Sequence, residues 1–286
     1  MEQKILVTGA TGFIGTYVVC ELLSRGINVI ATSSSEEVAK CKEWFNEVKY
    51  IPFNILEFNS KINYFSFFNQ PDRVIHLAWG GLSNFKEEFH IAKNFPYHKA
   101  FLENLLINGL KDLSVTGTCL EYGLVEGCLT ETMIGKPSTN YAIAKDLLRK
   151  EIEKLVPQYA FEFKWIRLFY MYGKGQSPKS LISQLDIAID SGKSVFNMSG
   201  GEQKRDFLPV RIVAKNIVSI ALQSNVSGII NNCSGNPIKI KDFVKKYIEL
   251  KNVDLKLNLG YFPYPDYEPM EFWGDIKKLK KIVEND

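Results

Sequence analysis

The chain has 286 residues, 45% hydrophobic and 23% charged, the balance of a globular protein with one large domain or a domain and a smaller lobe. A formal net charge of +3 with no long Lys/Arg block gives no sign of a nucleic-acid partner, and no apolar run is long enough to span a bilayer. The cysteines (Cys20, Cys41, Cys119, Cys128, Cys233) form no CxxC pair and the histidines (His76, His90, His98) do not cluster with them, so neither a disulfide framework nor a metal site is expected.

Met1-Glu2-Gln3-Lys4 leads straight into an apolar strand, which makes a cytoplasmic protein the expectation. Ile5, Leu6 and Val7 read as a strand buried on both faces. Gly9, Gly12 and Gly15 follow, and Phe13, Ile14, Val18, Val19, Leu22 and Leu23 then repeat at helical spacing. Strand, glycine turn and helix start bring backbone N–H groups and the positive end of a helix dipole to one point, which suits a pyrophosphate. Gly9 is placed to take positive φ, Gly12 to let the phosphates approach the backbone, and Gly15 to let the helix sit close to the strand. Further strands are predicted at Asn28 to Thr32, Lys49 to Phe53, Arg73 to Ala78, Leu113 to Thr116 and Phe163 to Phe169. Helices are predicted from Phe85 to Gly109, broken near Pro96, and from Asn140 to Leu155. Such alternation specifies a Rossmann-type α/β fold, a doubly wound parallel sheet.

After Gly173 the pattern loosens into a smaller C-terminal α/β lobe. Helices are expected at Leu181 to Ser191, Ile212 to Leu222 and Lys241 to Leu250, with extended chain at Arg205 to Pro209 and Ile229 to Asn232. The expected division is 1–172 for the dinucleotide and 173–286 for the substrate, with roughly 208–234 packing back on the first domain. The aromatic and proline-rich stretch from Tyr261 reads as an ordered loop, and the lysines of Lys277 to Lys281 as a solvated helix face.

The strand from Asn28 ends in Thr32, Ser33 and Ser34, with no carboxylate before Glu36. A site preferring NAD usually puts Asp or Glu there for the ribose 2′-hydroxyl. Hydroxyls without a carboxylate favour NADP(H), the alternative being that these serines only cap the next helix. Thr11, Phe13 and Ile14, then Asn54 and Ile55, then Leu77, Ala78 and Trp79 complete the expected cofactor contacts, with Asn54 near the adenine. Trp79 and Gly80 follow the fourth strand, and Trp79 reads either as an apolar wall for substrate or as core. Tyr141 and Lys145 stand one helical turn apart on one face, and a nearby ammonium would let the phenol exchange a proton below its ordinary pKa. Thr118 follows the fifth strand, at the carboxyl edge where such sheets bind ligands.

Thr8-Gly9-x-x-Gly12-x-x-Gly15, Thr118 before Tyr122-Gly123, Tyr141-x-x-x-Lys145 and Arg205-Asp206-Phe207 together resemble the extended short-chain dehydrogenase/reductases of the NAD-dependent epimerase/dehydratase family, which act on nucleotide sugars. The resemblance covers nearly the whole chain. It implies Thr118, Tyr141 and Lys145 as the catalytic set, with Tyr141 and Lys145 also against the cofactor and Thr118 against the substrate, and Arg205 as a clamp on substrate phosphates, against an ion pair with a nearby acid. Trp79, Gly80, Cys119, Tyr141 and Tyr170 are implied beside the substrate, a buried structural thiol being the alternative for Cys119, and a homodimer formed through the two long helices. The departures narrow the reading. Cys119 and Leu120 stand where the family's dehydratases carry Asp and Glu, and Leu120 where its epimerase-reductases carry Cys. Tyr170 replaces an Asn expected at the substrate phosphates, and Arg211 and Ile212 replace an Asp pair. The resemblance is closest to reductases of dTDP-4-keto-6-deoxyglucose and CDP-abequose-type synthases. It thus implies NADPH-dependent reduction of a nucleoside-diphosphate 4-keto-6-deoxyhexose at C4, in making deoxysugars for surface polysaccharide. An NAD-dependent nucleotide-sugar 4-epimerase and a non-catalytic dinucleotide sensor are the alternatives.

Overall fold

The structure, a computed structural model, describes residues 3–284, so the expectation resting on Met1 and Glu2 lies outside the described residues. The strands β1 (Lys4–Thr8), β2 (Asn28–Thr32), β3 (Lys49–Tyr50), β4 (Arg73–His76), β5 (Asp112–Thr118), β6 (Glu162–Leu168) and β7 (Gly228–Asn232) form one sheet in the order β7-β6-β5-β4-β1-β2-β3. Every pairing in it is parallel. The order reverses between β1 and β4, and a doubly wound sheet opens its ligand crevice at the carboxyl ends on either side of that point.

The central strands are buried on both faces because helices cover both. Helix α1 (Phe13–Ser24) packs on one face, and α2 (Phe95–Ile107) and α3 (Asn140–Glu153) on the other. Helices α4 (Val210–Leu222) and α5 (Lys277–Val283) join α1 around Val18, Val213, Ile217 and Leu279. Residues 208–234 therefore supply both a helix and the edge strand β7 to the first domain's core. In the smaller lobe, Tyr170–Tyr172, Lys204–Pro209 and Pro237–Lys239 make a three-stranded sheet, and helices Leu181–Asp190 and Ile240–Lys251 enclose a core around Leu185 and Val244.

Two differences from the predicted elements have local causes. The strand predicted to Phe53 is assigned only to Tyr50, yet Ile51 and Phe53 still donate to Ala31 and Ser33 at 3.0 Å. Pro52 between them has no N–H to give. The helix predicted from Phe85 starts coiling at His90, with a π turn over His90–Asn94 that runs into α2. Pro96 sits in the first turn of α2, where its missing N–H costs nothing, so it starts the regular helix rather than breaking one.

Candidate active site

The glycine turn after β1 is closed by backbone. Gly9 has φ of +68°, and a Cβ there would lie 2.8 Å from Ala78. A Cβ on Gly15 would lie 2.1 Å from the Gly9 carbonyl oxygen. Gly12 caps the N-terminus of α1 without a side chain, leaving the first-turn N–H groups open to a ligand. The turn floors a groove of about 560 Å³ at the switch point. Gly9, Thr11, Gly12, Phe13, Ile14, Thr32, Ser33, Ser34, Asn54, Ile55, Leu77, Ala78 and Trp79 all line it, as does Gly80, and none of its lining residues is Asp, Glu, Lys or Arg. Its floor and shape fit a dinucleotide.

Two of the hydroxyls after β2 are engaged. The Ser33 hydroxyl meets the Tyr50 phenol at 2.9 Å, and Ser35 caps the helix at Glu36–Lys40 by accepting from the Val38 N–H. The Thr32 hydroxyl is buried without a partner among the described residues. Asn54 lines the groove, but its amide accepts from the Leu56 N–H and donates to Glu57, holding the turn Ile55–Glu57.

The three catalytic candidates converge from two elements. Thr118 ends β5 and forms a reciprocal cap with Glu121: the Thr118 N–H donates to Glu121 at 2.8 Å, and Thr118 Oγ1 accepts from the Leu120 N–H at 3.3 Å. Glu121 is fully buried and accepts from Trp165 at 3.0 Å and Arg167 at 2.8 Å. Thr139 caps α3, which places Tyr141 in its first turn and Lys145 one turn on. The Thr118 side chain neighbours the Tyr141 phenol closely enough to draw its pKa down.

The expected activation of the phenol is not what the structure shows. Burial pushes the Tyr141 phenol up, the charge of Glu121 adds to this, and Thr118 pulls it down. Lys145 does not reach it. Its ammonium donates to the Thr116 carbonyl at 2.9 Å and lies 4.1 Å over the Trp79 ring, and burial lowers its pKa to about 7. Helical spacing put the two residues on one face, but the long lysine stem follows the sheet instead. Trp79 lines the groove and packs on the Lys145 ammonium.

Residues that belong to no sequence motif cover the phenol. Phe85 stacks on Tyr141 at 5.2 Å, His90 lies at 5.3 Å and Trp79 meets it edge-on at 6.2 Å. Trp79 Nε1 donates to His90 Nδ1 at 3.1 Å, so His90 Nε2 carries the proton and donates to the Asn84 carbonyl at 3.0 Å. The Tyr141 N–H donates to the Phe85 carbonyl, and Lys86 pairs with Asp266 in the aromatic loop.

Three expected substrate contacts are corrected. Arg205 is 1% exposed and has no N–H left for a phosphate. It pairs with Glu268 at 2.9 Å and donates to the carbonyls of Lys204, Pro269 and Met270. Tyr170 donates its phenol to the same Glu268. Cys119 is buried among Tyr122, Phe169 and Phe272, and burial drives its thiol far up, so it is inert packing rather than a groove residue. Glu268 comes from the loop 63 positions beyond Arg205, and no local pattern connects them.

A glycine-floored groove beside a Thr/Tyr/Lys set on a doubly wound sheet defines a dinucleotide-dependent short-chain dehydrogenase/reductase. The profile of the NAD dependent epimerase/dehydratase family matches residues 5–233, and the chain belongs to this family. It is 30% identical over 275 residues to the dTDP-6-deoxy-L-talose 4-dehydrogenase (NAD(+)) of Aggregatibacter actinomycetemcomitans, spanning 95% of this chain and 99% of that protein. It is 26% identical to an uncharacterized UDP-glucose epimerase of Bacillus subtilis, spanning 99% and 93%. Among solved structures, the UDP-glucuronic acid 4-epimerase of Bacillus cereus, in complex with UDP-glucuronic acid and NAD, superposes with a TM-score of 0.84 at 21% identity, over 99% of this chain and 94% of that one. An NAD-dependent NDP-hexosamine 5,6-dehydratase of tunicamycin biosynthesis superposes at 0.83 with 22% identity, over 98% and 91%.

Proposed function

We propose that the protein interconverts the C4 hydroxyl and C4 ketone of a nucleoside-diphosphate 6-deoxyhexose. The observation that carries this is the set Thr118, Tyr141 and Lys145 with no uncommitted acid or base beside it among the described residues, since the neighbouring His90 is engaged at both nitrogens by Trp79 and the Asn84 carbonyl. Leu120 cannot move a proton, Cys119 is an inert buried thiol, and Glu121 is held by Trp165 and Arg167. Elimination of water needs an added acid and base, whereas hydride transfer at a carbinol carbon does not. A bound nicotinamide would donate or accept that hydride. Tyr141 gives its proton to the C4 oxygen in reduction and takes it back in oxidation. Thr118 hydrogen-bonds the same oxygen and stabilises its developing charge. Lys145 packs its amine against Trp79 and the Thr116 carbonyl, and Phe85, His90 and Trp79 exclude water. A 30% identical relative that carries the name of a 6-deoxyhexose 4-dehydrogenase supports the substrate class.

The carrier in this reading is NAD(H), in place of the NADP(H) expected from the serines. Ser33 and Ser35 are engaged, no cation lines the groove to meet a 2′-phosphate, and the named relative uses NAD. The active form in this reading is a homodimer through α2 and α3.

The test is absorbance at 340 nm with the purified protein, NADH or NADPH, and dTDP-4-keto-6-deoxyhexoses. Keto-sugar-dependent loss of absorbance that disappears in Tyr141→Phe is the expected result. Conversion of one nucleotide hexose to its C4 epimer without added cofactor, by protein that retains NAD through purification, would replace this reading with an epimerase.

A further inference from the structure

Beneath the groove, a chain of hydrogen bonds runs through three buried side chains that the proposed chemistry does not use. Thr8 Oγ1 and His76 Nδ1 are 2.9 Å apart, and His76 Nε2 and His98 Nδ1 are 2.8 Å apart. Thr8 and His76 are fully buried, and His98 is 3% exposed. The direction of the chain follows from its first member. The Ala78 N–H donates to Thr8 Oγ1 at 3.3 Å, and among the described residues the Thr8 hydroxyl hydrogen has no acceptor other than His76 Nδ1. His76 therefore carries its proton on Nε2 and donates to His98 Nδ1. Both rings are held neutral, since burial pushes each well below the ordinary histidine pKa and Lys145 adds to this. A neutral imidazole that accepts at Nδ1 bears its proton at Nε2. His98 lines the groove, and its Nε2 has no protein partner among the described residues.

We propose that His98 is a dinucleotide-contacting residue, its Nε2–H donating a hydrogen bond to an acceptor oxygen of the bound cofactor. The proposal rests on the dinucleotide reading of the groove. The contact belongs to the half of the cofactor nearest the catalytic set. Trp79 packs on His98 at 4.7 Å between ring centroids and on the Lys145 ammonium at 4.1 Å. His76 and Thr8 are positioning residues that fix which His98 nitrogen carries the proton. The donor is neutral, so the bond adds orientation without adding charge to a groove lined by no charged side chain.

The chain's three histidines make a direct test practical by long-range ¹H–¹⁵N correlation on the wild-type protein, with and without NADH. The expected result is His98 in the Nε2–H tautomer, with its Nε2 and attached proton shifting on NADH addition. An Nδ1–H tautomer, or His98 signals unmoved at saturating NADH, would overturn the proposal. In parallel, NADH titration by fluorescence should show His98→Phe, which keeps the stack on Trp79 but loses the donor, binding about tenfold more weakly. His98→Gln, which returns an amide donor, should recover most of that loss. Equal affinity of His98→Phe and wild type would also overturn it. A wild-type protein that binds neither NADH nor NADPH would overturn the dinucleotide reading and this inference with it, whereas wild-type binding indifferent to His98 overturns this inference alone.

Discussion

At the scale of single residues, position and protonation part company. The spacing of Tyr141 and Lys145 reads correctly from the chain, yet the structure gives a phenol raised by burial and an amine lowered to about 7. Spacing fixes which helix face a residue shares; it does not fix where a four-carbon stem ends or how much water it loses. Removing the phenol oxygen tests its role. Tyr141→Phe should lower kcat by about 10²- to 10⁴-fold with the thermal midpoint unchanged. The lysine has a stability signature of its own. From pH 10.5 down to about 7 the unfolded chain takes up a proton on Lys145 that the folded chain does not. Its contribution to stability therefore falls as pH drops through that window and is level below it. Lys145→Met should be most stable relative to wild type near pH 7, and the gap should narrow towards pH 10.5. Urea midpoints of both proteins across that range measure it, and a gap independent of pH would refute the lowered amine.

At the scale of elements, the glycine turn was the most legible part of the molecule. Its spacing is dictated by backbone contacts that any Cβ would violate. Gly15→Ala, whose Cβ would stand 2.1 Å from the Gly9 carbonyl oxygen, should cost about 1–3 kcal/mol and weaken NADH binding, read by thermal melt and titration. The loops were legible in kind and not in contact. The aromatic stretch from Tyr261 reads as ordered, but nothing local shows that Glu268 will hold both Tyr170 and Arg205. That distant contact is why Arg205 looked like a phosphate clamp. The two roles predict opposite results for Glu268→Ala. With Arg205 structural, the variant leaves a buried guanidinium unpaired and should lose about 3–5 kcal/mol, with no gain in nucleotide-diphosphate affinity. With Arg205 a clamp held off by Glu268, dTDP would bind more tightly to the variant, as calorimetry would show.

At the scale of the whole molecule, the sheet was readable because its strands are short apolar runs bounded by glycine or proline and separated by helices. The minor pairs were not, because three-residue strands such as Gly127–Leu129 with Phe272–Gly274 carry no period. Assembly is the remaining question at this scale. Helices α2 and α3 turn Phe101, Leu102, Leu105, Leu148 and Ile152 inward onto the sheet. Tyr97 at 36% and Ile107 at 53% exposure remain outside on α2, with Ala100 and Asn104 at the intervening turns. Ile143 and Leu147 stand half-buried on α3. Tyr97, Ala100 and Ile107 share one stripe at helical spacing, Asn104 between them being tied to Ile62 and Tyr64, and it is this stripe that the proposed dimer would bury along a two-fold axis. Analytical ultracentrifugation at micromolar concentration should give a dimer for the wild type and a monomer for Tyr97→Glu combined with Ile107→Lys. These outward residues lie away from the groove, so NADH binding should survive in the monomer. A wild-type sedimentation coefficient of a monomer would leave the stripe without a partner and remove the dimer from the proposed function.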